Sequence, residues 1–197
     1  PLILHSYSAI SNGYTIWAPR RVELYPRPPI IGGAESFADH LMIHELRHMV
    51  QMDKLNQGIT KFASYFLGDQ AVAAVVGLHM PNWLTEGDAV LTETLLSHSG
   101  RGRQALFSQD LRTLWLNKSD YSYDKSIFGS YKDYVPNHYV LGYHMVAMGR
   151  LLGGPLIWSK AIDTMGKRPY RPALLNRFLK KEIGLSRGEL YKKTFSW

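Results

Sequence analysis

The chain has 197 residues, 45% hydrophobic and 20% charged, with no cysteine and a net charge of +7. Such a composition excludes a disordered chain, no apolar run is long enough to span a bilayer, and the missing cysteine excludes disulfides, thiolate metal sites and a cysteine nucleophile. Residues 1–97 carry 6 Lys+Arg against 9 Asp+Glu while residues 98–197 carry 17 against 7, so the second half reads either as a solvated basic surface or as a face for an anionic partner.

No nucleic-acid motif accompanies the charge, and nucleic acid is not expected as a partner. The chain begins at Pro1 with no signal-like segment, and the expectation is a trimmed piece of a longer protein.

Residues 2–9 and 14–25 are rich in β-branched and aromatic residues with some alternation. Ser11-Asn12-Gly13 lies between them as a turn signal, which predicts a hairpin. Pro26, Pro28, Pro29 and Gly32-Gly33 then end the sheet. Residues 35–54 have helical periodicity, with Phe37, Leu41, Leu46, Met49 and Val50 expected to share much of one face. A second, largely buried helix is expected over about 61–78, interrupted at Gly68, and a third over about 83–97 after Pro81-Asn82. Residues 104–117 read as an amphipathic helix. The segment 118–137 is polar and without a clear period, and loops this long inside compact domains tend to be functional; six of the twelve Tyr lie in 121–143 and read as a substrate-facing loop or as a loop packed by its own aromatics. Helices resume at about 138–152, 156–165 and 172–182, and Ser186 with Glu189 forms a capping box for a last short helix. The predicted fold class is α+β, mainly α: one domain over 1–197, with a small N-terminal sheet, a helical C-terminal lobe and sub-lobes at about 1–80 and 81–197.

The segment that carries chemistry is His44-Glu45-Leu46-Arg47-His48. On a helix, positions i and i+4 lie one above the other, so two imidazoles can reach one ion from neighbouring turns. Glu45 is offset by about 100° around the axis, beside the metal rather than on it. A general base for a metal-activated water belongs there. The bland alternative is a pair of surface or core histidines. A catalytic zinc site needs a third protein ligand, and Glu86 in Trp83-Leu84-Thr85-Glu86-Gly87-Asp88-Ala89 is the candidate. By itself Glu86 also fits an exposed glutamate favoured by a helix N-terminus.

These two motifs together resemble the gluzincins, the thermolysin-related zinc peptidases, and especially their peptidase-MA-like branch. That branch carries His-Glu-x-x-His on one helix and Trp-x-x-Glu-Gly-x-Ala on a later one. The resemblance covers residues 3–94, and 138–194 more loosely. It implies a zincin-like fold, zinc as cofactor, His44, His48 and Glu86 as ligands, and Glu45 as general base in peptide-bond hydrolysis. Tyr139 is implied as the donor that steadies the oxyanion, with Tyr143 and His138 as substitutes. The family's layout also implies an edge strand along the cleft, with 14–24 the expected segment, onto which a peptide or protein substrate adds.

The sequence departs from the thermolysin pattern four positions after Glu86, where Val90 stands in place of an acidic residue. Glu93, on the same helix face as Glu86, is the candidate partner of a ligand histidine. His40 continues the i, i+4 series. However, it lies about 12 Å along the axis from His48, too far for all three to share one ion, and it reads as a helix-face residue. His5, His79, His98 and His144 read as structural, and Gly100-Arg101-Gly102-Arg103 as a solvated turn. The resemblance and the trimmed start lead to the expectation of a bacterial, extracytoplasmic protein (periplasmic, cell-surface or secreted). Two rivals remain: a non-catalytic module that keeps the fold and binds a peptide or glycan, and an anion-binding helical domain in which the zinc motif is accidental.

Overall fold

A computed structural model describes residues 1–29, 36–117 and 121–195. Gly32, Gly33 and Glu35, and residues 118–120 of the polar segment, lie outside the described residues.

Three short strands open the chain: β1 (Leu2–Leu4), β2 (Ser11–Trp17) and β3 (Arg20–Pro26). Their order is β1-β3-β2, with β1 parallel and β2 antiparallel to β3. The hairpin expected around Ser11-Asn12-Gly13 is therefore corrected. Those residues lie inside β2, and the chain reverses at Ala18-Pro19. Gly13 is used for closeness rather than for turning. It pairs with Leu24, and a Cβ there would come within 2.8 Å of Leu41 Cδ1 and 2.9 Å of Glu45 Cγ. β2 is an edge strand and β3 the central one, so only the first part of the 14–24 segment borders a free edge.

α1 (Phe37–Leu55) lies against β2 and β3. Its buried stripe is Leu41, His44, Glu45, His48, Met52 and Leu55, with Gln51 beside it. Leu46 and Val50, expected on the apolar face, are half-exposed. They lie about 140° and 180° around the axis from Leu41, so the inward face is the one that carries the polar motif.

The expected second helix is two: α2 (Gly58–Leu67) and α3 (Gln70–His79). They divide at Gly68, whose φ of +56° favours glycine. α4 (Asn82–Leu96) follows Pro81. A single 3₁₀ turn, Arg101–Arg103, precedes α5 (Gln109–Leu116), which is shorter than expected. The polar segment contains a short helix, α6 (Tyr123–Phe128), capped by the Ser122 hydroxyl. α7 (His138–Gly153) starts where Asn137 Oδ1 accepts from the Tyr139 and Val140 N–H groups. α8 (Ile157–Lys167), α9 (Leu174–Ile183) and α10 (Arg187–Phe195) complete the chain. The capping box forms: Ser186 N–H donates to Glu189 Oε2 at 2.5 Å, and Glu189 N–H to Ser186 Oγ at 3.2 Å.

The molecule is mainly helical with a small N-terminal sheet, an α+β arrangement. Trp83 and Trp158 meet edge to face at the centre of the larger core, 5.8 Å between rings. Each indole N–H is satisfied, on the Tyr123 hydroxyl and the Val146 carbonyl respectively. Met52, Leu55, Val72 and Val75 share this core with Leu84, Met145, Ile162 and Leu179, so it runs unbroken past residue 80. A smaller cluster of Val22, Leu24 and Leu41 joins the sheet to α1. Among the described residues no helix is long and apolar enough to cross a membrane.

Candidate metal centre

His44 and His48 sit one turn apart on the buried face of α1. Glu86, in the second turn of α4, reaches across to both. Its Oε2 is 3.1 Å from His44 Nε2 and 3.3 Å from His48 Nε2, and the two Nε2 atoms are 3.3 Å apart. All three ligand atoms lie within 4.8 Å of one another. Two imidazole nitrogens and a carboxylate oxygen are a donor set suited to zinc and several other divalent ions. Burial alone would raise the Glu86 carboxyl, but hydrogen bonds from His44 and His48 outweigh it and hold its pKa well below the usual carboxylate range. Burial likewise disfavours the His48 imidazolium, yet the Glu86 carboxylate draws its pKa up.

The far side of each ring is also engaged. His44 Nδ1 lies 3.0 Å from Glu93 Oε2, as expected for Glu93. Arg101 grips the same carboxylate through Nε at 2.7 Å and Nη2 at 2.8 Å, and its backbone N–H adds a third bond at 3.2 Å. Burial would raise the Glu93 pKa, but Arg101 and then His44 hold it at about 2. Arg101 Nη2 is also 2.7 Å from His44 Nδ1. A guanidinium only donates, so that contact and a protonated Nδ1 exclude each other. Ligation through Nε2 needs the proton on Nδ1, with Glu93 as its acceptor. His48 Nδ1 lies 3.1 Å from Gln51 Oε1, and the Gln51 amide donates to Thr85 O and Asp88 Oδ2. Arg47 in turn pairs with Asp88 at 2.7 Å.

Glu93 is paired with Arg101 and Asp88 with Arg47, while the partners of the Glu86 carboxylate are the His44 and His48 rings themselves.

Glu45 is 4% exposed, on the β2 side of the ligands. Thr15 Oγ1 of β2 lies 2.7 Å from Glu45 Oε2 and 3.0 Å from Glu45 O. Tyr139, at the start of α7, faces the site from the other side, its ring 6.2 Å from that of His44. The Arg101 guanidinium lies over the same ring at 5.2 Å. Burial and the Glu86 charge push the Tyr139 hydroxyl pKa up, so it stays a proton donor at neutral pH. A cleft of about 750 Å³ joins these residues to β2, with Glu45, Tyr139 and the three ligand side chains in its wall.

All six residues singled out by sequence (His44, Glu45, His48, Glu86, Glu93 and Tyr139) thus meet in one place. Tyr143 and His138 do not line the cleft. Tyr143 packs on Phe107 and Gly102, and the His138 ring lies tilted against that of Tyr139, 4.5 Å away. His40 lines the cleft wall near Ser99 but is no member of the ligand cluster. His5, His79 and His144 take structural partners: Glu23, the Pro169 carbonyl and Ser108.

Gly100-Arg101-Gly102 is not the solvated turn expected. A Cβ on Gly100 would lie 2.5 Å from Thr94 Cα, and one on Gly102 would lie 2.4 Å from the Tyr143 ring. The main chain of α4 leaves no room for a side chain at position 100, and the Tyr143 ring of α7 crowds position 102, so the loop lies close on both helices and delivers Arg101 to Glu93. Arg101, Gln51, Asp88 and Thr15 are the site residues that sequence reasoning missed. The glycines flanking Arg101 were the available signal. Set against known protein families, curated proteins and solved structures, the chain matches none.

Proposed function

We propose that this chain is a zinc-dependent peptidase domain of gluzincin type, with a zincin-like fold. The observation that carries it is the convergence of His44 Nε2, His48 Nε2 and Glu86 Oε2 within 4.8 Å, next to a buried carboxylate, Glu45, in an open cleft. A zinc ion held there would lower the pKa of a coordinated water to about 7 and polarise a carbonyl oxygen. Glu45 takes the proton from the attacking water and returns it to the leaving amine. Thr15 holds the Glu45 carboxylate by a 2.7 Å hydrogen bond. Tyr139 donates to the carbonyl oxygen as negative charge develops on it. The substrate is a peptide or protein strand lying along the free edge of β2, whose residues line the cleft.

The test is elemental analysis of wild type and Glu86→Ala, followed by turnover of a quenched peptide library by wild type and Glu45→Gln. The expected result is about one zinc per wild-type chain, with a large loss in Glu86→Ala. Turnover should be lost in Glu45→Gln and on adding a chelator. A zinc-loaded wild type that cleaves no peptide would favour a peptide-binding module on the same fold. Wild type that takes up no zinc removes the metal centre altogether.

A further inference from the structure

Behind His48 lies a chain of buried polar groups that no step of the reaction touches. Gln51 is 3% and Asp88 2% exposed. The Gln51 amide nitrogen lies 3.0 Å from Thr85 O and 2.9 Å from Asp88 Oδ2. A carbonyl and a carboxylate only accept, so the nitrogen of that amide must be the atom that faces them. Its oxygen is thereby turned to His48 Nδ1, 3.1 Å away. An amide oxygen also only accepts, so Nδ1 carries the proton. His48 Nε2, which faces Glu86 Oε2 and His44 Nε2, is then the ring nitrogen whose lone pair the neutral imidazole would offer to a metal. Arg47 closes the chain on Asp88 at 2.7 Å and keeps that carboxylate an acceptor.

Resting on the metal reading above, we propose that Asp88, anchored by Arg47, is a positioning residue that fixes the tautomer of His48 through Gln51. Two features of the sequence then acquire one purpose. Arg47 is one of the two residues between Glu45 and His48 in the first motif, and Asp88 is the residue that follows Glu86-Gly87 in the second. The first motif supplies two of the proposed ligands and the second the third, and each supplies one half of the device that orients His48. A plain strut between α1 and α4 would need only the Arg47–Asp88 pair. It would not need the amide of Gln51 to face one way.

The test is imidazole ¹⁵N NMR of histidine-labelled, metal-free protein at a pH above the histidine titrations, beside zinc affinity measured against a competing chelator. Wild type is expected to hold His48 as the Nδ1–H tautomer. Gln51→Met keeps the volume and the Arg47–Asp88 pair but removes the acceptor. His48 should then shift toward Nε2–H, because Glu86 Oε2 offers an acceptor on that side, and zinc affinity should fall about 10–100-fold. Asp88→Asn should act the same way, since an asparagine amide can donate to Gln51 and let it turn over. If Asp88→Asn does not fold, Gln51→Met carries the test alone. A wild-type Nε2–H tautomer overturns the proposal, as does Gln51→Met with unchanged tautomer and zinc affinity, and both leave the metal centre standing. A wild type with the Nδ1–H tautomer that takes up no zinc overturns the metal reading and this role with it.

Discussion

Gly87 of α4 and Gly142 of α7 meet backbone to backbone. A Cβ on Gly87 would lie 2.2 Å from the Gly142 carbonyl carbon, and one on Gly142 would lie 2.1 Å from the Trp83 carbonyl oxygen. The obstruction is main chain, so neither helix can yield by turning a side chain. The contact also sets the site, because Glu86 directly precedes Gly87 and Tyr139 lies one turn before Gly142. Gly87→Ala or Gly142→Ala should therefore cost about 1–3 kcal/mol or more, as overpacking does. Zinc affinity should fall in the same variants. Urea unfolding and chelator competition measure the two effects. Wild-type values in both would mean that the helices part freely and the glycines do not set the site.

Thr15 gives a prediction about the proposed base, Glu45, alone. Its hydroxyl is 2.7 Å from Glu45 Oε2 and 3.0 Å from Glu45 O. Thr15→Val keeps the branched shape and β propensity of the strand but removes those contacts. Zinc content should stay near wild type, while kcat should fall about tenfold to a hundredfold from misorientation of Glu45, with KM little changed. Parallel losses of zinc and kcat would instead show that β2 shapes the whole site.

The motif residues were legible because their meaning is local: i, i+4 on one helix, then a glutamate before a glycine. What was not legible depended on contacts between distant segments. Leu46 and Val50 fit an apolar stripe as well as Leu41 does. They face outward because the polar groups of α1 find partners on α4, and no period within 35–54 reports that. Ser11-Asn12-Gly13 carries a turn composition, yet Gly13 is there to admit Leu41 and Glu45. Arg101 sits in a stretch with the look of a solvent loop. Its role exists only because Glu93, eight residues earlier, is turned inward at 2% exposure. In each case, the local signal was real and a long-range contact decided its use. Gly68, where the helix break depends on φ alone, was readable in advance.

Ligand binding and stability are linked, so the proposed metal centre also predicts a thermal shift. Zinc in hundredfold excess over its dissociation constant stabilises the native state by about 2.7 kcal/mol if it binds only the folded chain. For a chain of this size that corresponds to roughly 5–10 °C in Tm. Glu86→Ala should show little of this shift. Differential scanning calorimetry with and without zinc separates the cases, and an equal rise in wild type and Glu86→Ala would place the metal elsewhere on the chain.

Arg101 and Glu93 make a prediction in acid, for the metal-free protein. The Glu93 carboxyl sits at about 2 in the folded chain against an ordinary 4.5. Burial pushes it up, and the Arg101 and His44 hydrogen bonds more than reverse that. A depressed folded-state pKa means that the ionised form is bound more tightly in the native state than in the unfolded one. Its stabilisation is complete above pH 4.5 and is lost as pH falls toward 2. Arg101→Gln removes the strongest of the lowering influences, so the folded pKa should move back toward its ordinary value. The variant should be less stable than wild type at neutral pH, and the gap should close as pH falls from 4.5 toward 2. Other depressed carboxyls, such as Glu189 at about 2, contribute equally to both proteins and cancel in the difference. Urea midpoints of the two proteins across that range measure it. A gap that stays constant with pH would show that Arg101 stabilises the fold by packing over Tyr139, not by holding the Glu93 charge.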